Sequence, residues 1–156
     1  MKLQTHAEVV ISKSPEAVFD FSTADRIFEK VLRPLGPIPG IVNVEVEGGG
    51  PQVTGSKRRV TMTDKSFLGE EVLLLERPRE HRYRWLNRPA PPFSFLVKGG
   101  EACWTFHAEG TGTRVLWDYT FDLTSPLAYP AMLLVTIFFR RWMQQGLDGV
   151  RDGMGV

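Results

Sequence analysis

The chain has 156 residues, 42% of them apolar and 24% charged, with 19 Lys and Arg against 18 Asp and Glu. That is the make-up of one soluble folded domain spanning residues 1–156, large enough to bury roughly two-thirds of its unfolded surface. A net charge of +1 argues against the concentrated basic surface of a nucleic-acid binder, and a single cysteine, Cys103, excludes an internal disulfide or a thiolate-rich metal site.

The first residues alternate, with Thr5, Ala7, Val9 and Ile11 on one side and Gln4, His6 and Glu8 on the other, which reads as a strand. No apolar run follows the start, so a secretory leader is not expected. Ser14-Pro15-Glu16 supplies an N-cap and a proline at the first helical position. The short helix after it buries Ala17, Val18 and Phe21. A second short helix is expected over Asp25 to Val31, stopped by Arg33-Pro34 and the loop from Leu35 to Gly40. No alternation of helix and strand follows, which argues against a doubly wound parallel sheet.

Six strands are expected next: Ile41–Glu47, Gly55–Thr63, Phe67–Arg77, His81–Leu86, Phe93–Ala108 and Thr113–Leu123. Glycine- and proline-rich turns divide them, and Gly99-Gly100 marks a bend or bulge in the fifth. Arg77, Arg79, Arg82, Arg84 and Arg88 alternate with Tyr83 and Trp85, as on a solvated strand face. Ser125-Pro126 begins a turn, and a long helix runs from Pro130 to about Asp148. The apolar stretch Leu127–Phe139 is too short for a membrane span, which needs ~20 residues. Because the helix is apolar on more than one face from Met132 to Phe139, it must touch more than one thing. A cytoplasmic protein is the expectation.

The hairpin from Lys57 to Leu75 carries the strongest chemical signal. Val60, Met62, Leu68, Val72 and Leu74 share even parity with Arg58 and Glu70. A turn centred on Asp64-Lys65 pairs Val60 with Leu68 and Arg58 with Glu70, setting a guanidinium and a carboxylate cross-strand on the core face. Charges there are costly unless paired or facing a cavity. A surface ion pair without chemistry is the competing reading. The same parity argument turns Tyr83, Trp85, Phe95, Trp104, Phe106, Trp117, Tyr119 and Phe121 inward. A core filled by aromatics explains any one of them, but together they exceed what a sheet–helix seam needs, at ~150–250 Å² each.

Nucleophilic catalysis finds no support. There is no Gly-x-Ser-x-Gly elbow, and Cys103 takes the parity opposite Trp104 and Phe106. His6, His81 and His107 lack ligand spacing, and Gly48-Gly49-Gly50 leads to Pro51 rather than a phosphate-binding lysine, so neither metal nor cofactor is expected.

The order of strand, two short helices, six antiparallel strands and a terminal helix resembles the START-like (SRPBCC) superfamily, most nearly its polyketide cyclase/dehydrase and lipid-transport group. The opening Ile11–Phe19, the Gly55, Arg58 and Glu70 pattern, and Pro78, Tyr83, Trp104, Gly112-Thr113 and Trp117 carry the likeness. It implies an α+β helix-grip fold, a curved seven-stranded antiparallel sheet around the last helix, with an apolar cavity between. Thr63–Phe67 lacks the gate sequence of the hormone-receptor members, and His81-Arg82 is out of place for their latch. The two-histidine, one-carboxylate iron site of the oxygenase branch cannot be assembled.

The favoured function is a carrier or sensor of a hydrophobic small molecule or lipid. Its expected ligand-binding residues are Arg58, Glu70, Tyr83, Trp85, Trp104, Trp117 and Tyr119 from the sheet and Leu133 from the helix. The Arg88–Pro92 and Leu32–Gly40 loops would form the entrance. The alternative is a cyclase or aromatase in which Arg58 steadies enolate charge and a tyrosine, Tyr119, relays a proton. A third reading is an interaction module, with peripheral membrane or protein contact through Phe138, Phe139 and Trp142.

Overall fold

The computed structural model describes residues 1–24 and 27–156. It holds strands β1 (Lys2–Ile11), β2 (Ile41–Val46), β3 (Lys57–Met62), β4 (Phe67–Glu76), β5 (Glu80–Trp85), β6 (Val97–Glu109) and β7 (Gly112–Leu123). The helices are α1 (Pro15–Ser22), α2 (Ile27–Val31) and α3 (Tyr129–Gly153), with single 3-10 turns at Phe93–Phe95 and Pro126–Ala128. The strands form one antiparallel sheet in the order β1-β7-β6-β5-β4-β3-β2. β1 closes beside β7, so strands from the two ends of the sequence lie side by side. The sheet curves around α3 as the helix-grip arrangement requires.

Local chemistry explains the elements. Ser14 caps α1, its hydroxyl accepting from the Ala17 amide at 3.2 Å, an interaction contributing about 1 kcal/mol. Helix α1 presents Val18, Phe19 and Ser22 to the core, not Ala17, which is exposed, while Phe21 is only half-buried. Ile27 and Val31 anchor α2. The first two residues of the helix expected over Asp25 to Val31 lie outside the described residues.

Three glycines let α3 approach the short helices. A Cβ at Gly146 would sit 2.6 Å from Leu32 Cδ2, one at Gly149 2.8 Å from Val31 Cβ, and one at Gly153 2.9 Å from Phe21 Cζ. Helix α3 starts at Tyr129 and runs beyond Asp148, its inner stripe Met143, Leu147 and Val150 fully buried.

Two strand expectations are corrected. The fifth strand begins at Val97, because Phe93–Phe95 winds into a turn in which the Phe95 amide donates to Pro92 O at 3.1 Å and the Leu96 amide to Phe93 O at 2.9 Å. Phe95 is therefore 72% exposed instead of inward. In β4 the register slips between Val72 and Leu74, a bulge that turns the following residues over. Leu74 then stands opposite Arg82 on the wet face, and Leu75, opposite His81, packs against the core.

Candidate functional site

Strands β3 and β4 pair Arg58 with Glu70 and Val60 with Leu68. One parity is buried on both, and the two charged side chains go in with the apolar ones: Arg58 is 3% exposed and Glu70 8%. Arg58 Nε donates to Glu70 Oε1 at 2.8 Å. Its Nη1 donates to Gln52 Oε1 at 2.6 Å and reaches His81 Nε2 at 3.2 Å. A guanidinium only donates, so His81 Nε2 accepts and the ring proton belongs on Nδ1. The guanidinium carbon lies 4.5 Å from the centre of the Tyr83 ring, a cation–π contact. Arg58 Nη2 lies on the same edge as Nε and is buried without a hydrogen-bond partner. Half of the edge that recognises carboxylates bidentately is thus unused.

Burial governs the ionisation of this cluster. It raises the Glu70 carboxyl above the usual range, and the Arg58 charge offsets that only in part. It holds His81 well below the ordinary imidazole value, with Arg58 adding to the effect, so the ring is neutral. Tyr83 and Tyr119 are pushed upward chiefly by burial and remain neutral phenols. Trp104 and Trp117 lie near enough to the Tyr83 hydroxyl to favour its phenolate, without outweighing burial. Their indole N–H groups do not reach hydrogen-bond geometry with any partner.

Between sheet and helix lies a cavity of about 90 Å³. Its walls are Val60, Leu68, Trp117 and Phe121 from the sheet and Met132, Val135, Phe139 and Trp142 from α3. Ile38 and Pro39 from one loop, and Pro89, Ala90 and Phe93 from another, stand around it. Glu70, Tyr83, Tyr119, Asp64 and Ser66 are its few polar-bearing residues. Trp85 also lines it and donates from Nε1 to the Tyr119 hydroxyl at 2.9 Å. The indole fits because residue 100 is glycine: a Cβ there would lie 2.8 Å from Trp85 Cδ2. A second, more polar pocket of about 320 Å³ lies on the other side of Phe28, which lines both. Gln52, Arg58 and His81 stand in its wall.

Of the residues expected to contact ligand, Glu70, Tyr83, Trp85, Trp117 and Tyr119 line the main cavity. Arg58 does not; it backs Glu70 from behind and faces the second pocket. Trp104 is buried against Trp117, ring centres 4.5 Å apart, beneath the cavity wall. Leu133 projects outward and is 42% exposed, because the helix turns Met132 and Val135 inward instead. His81 and Gln52 complete the Arg58 cluster and are not among the residues expected from the sequence. The parity that puts Tyr83 and Trp85 inside also carries His81 with them, so that signal is available; Gln52 lies in a loop where no periodicity applies. The described residues contain no group of side chains able to hold a metal ion, and no helix among them is long and apolar enough to cross a membrane.

A family model described as polyketide cyclase/dehydrase and lipid transport matches residues 2–155. No curated protein matches the chain in sequence. Among solved structures, Ara h 8.0201 superposes with a TM-score of 0.71 at 14% identity, covering 97% of each chain. The di-domain ARO/CYC protein BexL from the BE-7585A biosynthetic pathway gives 0.72 at 16% identity, over 97% of this chain and 49% of that one. This chain thus spans about half of BexL. The protein TTHA0849 from Thermus thermophilus gives 0.67 at 19% identity, over 96% of this chain and 95% of the other. At such identities these likenesses speak to the fold.

Proposed function

We propose that this chain, which belongs to the polyketide cyclase/dehydrase and lipid transport family, carries or senses an apolar small molecule with one oxygen-bearing end. The observation behind this reading is the cavity itself. An aromatic-lined space ends at a buried carboxylate and two neutral phenols, and the guanidinium behind them has one donor unused. Apolar walls with a few placed polar groups are the ordinary form of a small-molecule site. The tyrosine hydroxyls suit a carbonyl, hydroxyl or carboxyl oxygen on the ligand.

The free volume is small beside the roughly 300–1,000 Å³ of sites that enclose drug-sized ligands. An occupant of more than a few heavy atoms therefore requires the wall to give way. The loops carrying Ile38-Pro39 and Pro89-Ala90 stand where an entrance would open. Rotation of Phe28 would join the cavity to the second pocket and bring the polar end of a ligand to Arg58 and His81.

Protein purified without detergent should release a reproducible apolar compound into organic solvent, seen by mass spectrometry, and bind it again. A displaceable fluorescent apolar probe should lose affinity in Phe139→Asp. Empty protein that binds neither a fatty-acyl, isoprenoid and aromatic panel nor the probe sinks the proposal.

A second reading, an enzyme acting on a poly-keto chain, is favoured by one observation. Glu70, with its carboxyl raised by burial, stands in the same wall as Tyr83 and Tyr119 and so offers an acid beside two proton donors. The ARO/CYC name of one structural neighbour agrees with it. Under this reading Glu70→Gln abolishes turnover of a poly-β-keto substrate while ligand uptake persists; under the carrier reading wild-type protein turns nothing over.

A further inference from the structure

The outer face of α3 shows a feature that the cavity does not use. Large apolar side chains stand free on one end of the molecule: Leu127 at 89% exposure, Leu134 at 62%, with Phe95, Leu133 and Ile137 beside them. Thr124 ties the two 3-10 turns together, its hydroxyl donating to Phe95 O at 2.8 Å and its amide to Leu96 O at 2.9 Å. Phe95 and Leu127 therefore belong to the same end. On the helix, Leu133, Leu134 and Ile137 lie at the spacing of one stripe, which continues one turn later as Arg140 and Arg141. From Leu127 to Ile137 the strip is about 15 Å long.

Along this strip the helix carries charge of one sign. No Asp or Glu occurs in α3 from Tyr129 through Leu147. Arg140, Arg141 and the neighbouring Arg33 form no ion pair among the described residues, whereas on the outer face of the sheet Arg82, Arg84 and Arg114 each hold a carboxylate. Arg33 and Arg141 border one surface depression, which Asp148 and Asp152 also reach from farther along the helix. Asp148 is already engaged by Gln144 and Arg151. The other side of the same helical turns, Met132 and Val135, lines the cavity.

We propose that this face docks on a bilayer bearing anionic lipid headgroups. Leu127, Leu134, Ile137 and Phe95 enter the acyl boundary, and Arg33, Arg140 and Arg141 meet phosphate. Exposed apolar side chains followed directly by unpaired arginines are the pattern of helices that lie in a membrane interface. A protein partner of matching chemistry would leave the arginines in need of carboxylates of its own; a lipid surface supplies the anions and the apolar layer at the required depths. Docked this way, α3 lies between the bilayer and the cavity, with Met132 and Val135 on its cavity side. The docking itself does not depend on what the cavity holds.

The test is sedimentation of the full chain with sucrose-loaded vesicles of phosphatidylcholine alone or with one-third phosphatidylglycerol. Wild type should pellet with the mixed vesicles, and the bound fraction should fall as salt rises past physiological strength. The double variant Leu134→Glu/Ile137→Glu should lose binding to background, and Arg140→Gln/Arg141→Gln should weaken it about tenfold or more. All four positions are exposed, so the variants should keep the wild-type circular dichroism and apolar-probe binding. Retention of the probe separates a failure here from a failure of the cavity reading. Wild type that stays in the supernatant with both vesicles overturns the proposal, as does pelleting unaltered by the glutamates. A concentration-dependent dimer that the glutamates disperse, with no vesicle binding, assigns the face to a second copy and overturns it equally.

Discussion

Removal of Glu70 should cost far more than the one hydrogen bond it accepts from Arg58. The pair joins Nε to Oε1 at 2.8 Å, with side chains 1% and 10% exposed. At an effective dielectric of 20 the attraction at that distance is about 6 kcal/mol. Desolvation of both ions consumes most of it, so the pair adds little net stability. Glu70→Ala, however, leaves a guanidinium in the interior with Gln52 and a neutral His81 as its only hydrogen-bonding neighbours among the described residues. Stranding a buried charge in this way costs about 3–5 kcal/mol, a large part of a small domain's stability. Arg58→Met strands the carboxylate instead, which can take up a proton, so its loss should be smaller and should shrink at acid pH. The double variant Arg58→Met/Glu70→Leu removes both ions and should recover most of the loss. Urea unfolding followed by tryptophan fluorescence gives the three free energies and the coupling between them. Single-variant losses below about 1 kcal/mol, or losses that simply add in the double variant, would refute the claim that this is a buried, mutually dependent pair.

Three further outcomes follow from the same geometry. His81 has a folded-state value below its unfolded one, so the unfolded chain binds the extra proton. The stability owed to neutral His81 is complete above about pH 6.5 and is lost as pH falls through that window, by up to ~1.4 kcal/mol per unit. In urea titrations at stepped pH, His81→Gln should flatten this slope, and an unaltered slope would assign it elsewhere. Gly100→Ala places a methyl 2.8 Å from Trp85 Cδ2 and 2.9 Å from Cε2, which should displace the indole from Tyr119 and destabilise by about 1–3 kcal/mol, with weaker apolar-probe binding. In α3, Gly149→Ala meets the stiff branch point of Val31, whereas Gly146→Ala meets the flexible tip of Leu32. Both gain up to ~1 kcal/mol of helix propensity, so thermal melts should show Gly146→Ala near neutral and Gly149→Ala clearly lower.

The fold is readable because its dominant signals are local and periodic. Alternation along β7, the Ser14-Pro15 cap and the glycine turns each fix one element, and antiparallel neighbours then follow from short connections. Phe95 shows where that reading stops. An apolar residue between strand-like neighbours reads as strand, but Pro91 and Pro92 offer no amide to a ladder, and the chain turns instead. Leu133 shows a second limit. A helix apolar on both faces gives no phase, so only packing against the sheet decides that Met132 and Val135 face the cavity.

The site itself turns on continuity of register. Parity carries Arg58 and Glu70 inward correctly because β3 and the first half of β4 pair without interruption. Past Val72 the same rule fails: the bulge reverses it, sending Leu74 out to Arg82 and bringing Leu75 in beside His81. Four consecutive apolar residues, Val72 to Leu75, tolerate either phase, so the sequence leaves the slip undetermined at the point where the sheet bends. On β5 the parity is unbroken and carries His81 inward with Tyr83, and the arginine's Nη1 turns to His81 and Gln52 rather than to the cavity. The arginine that the sequence places toward a ligand is, in the folded chain, the support behind a glutamate that lines the cavity.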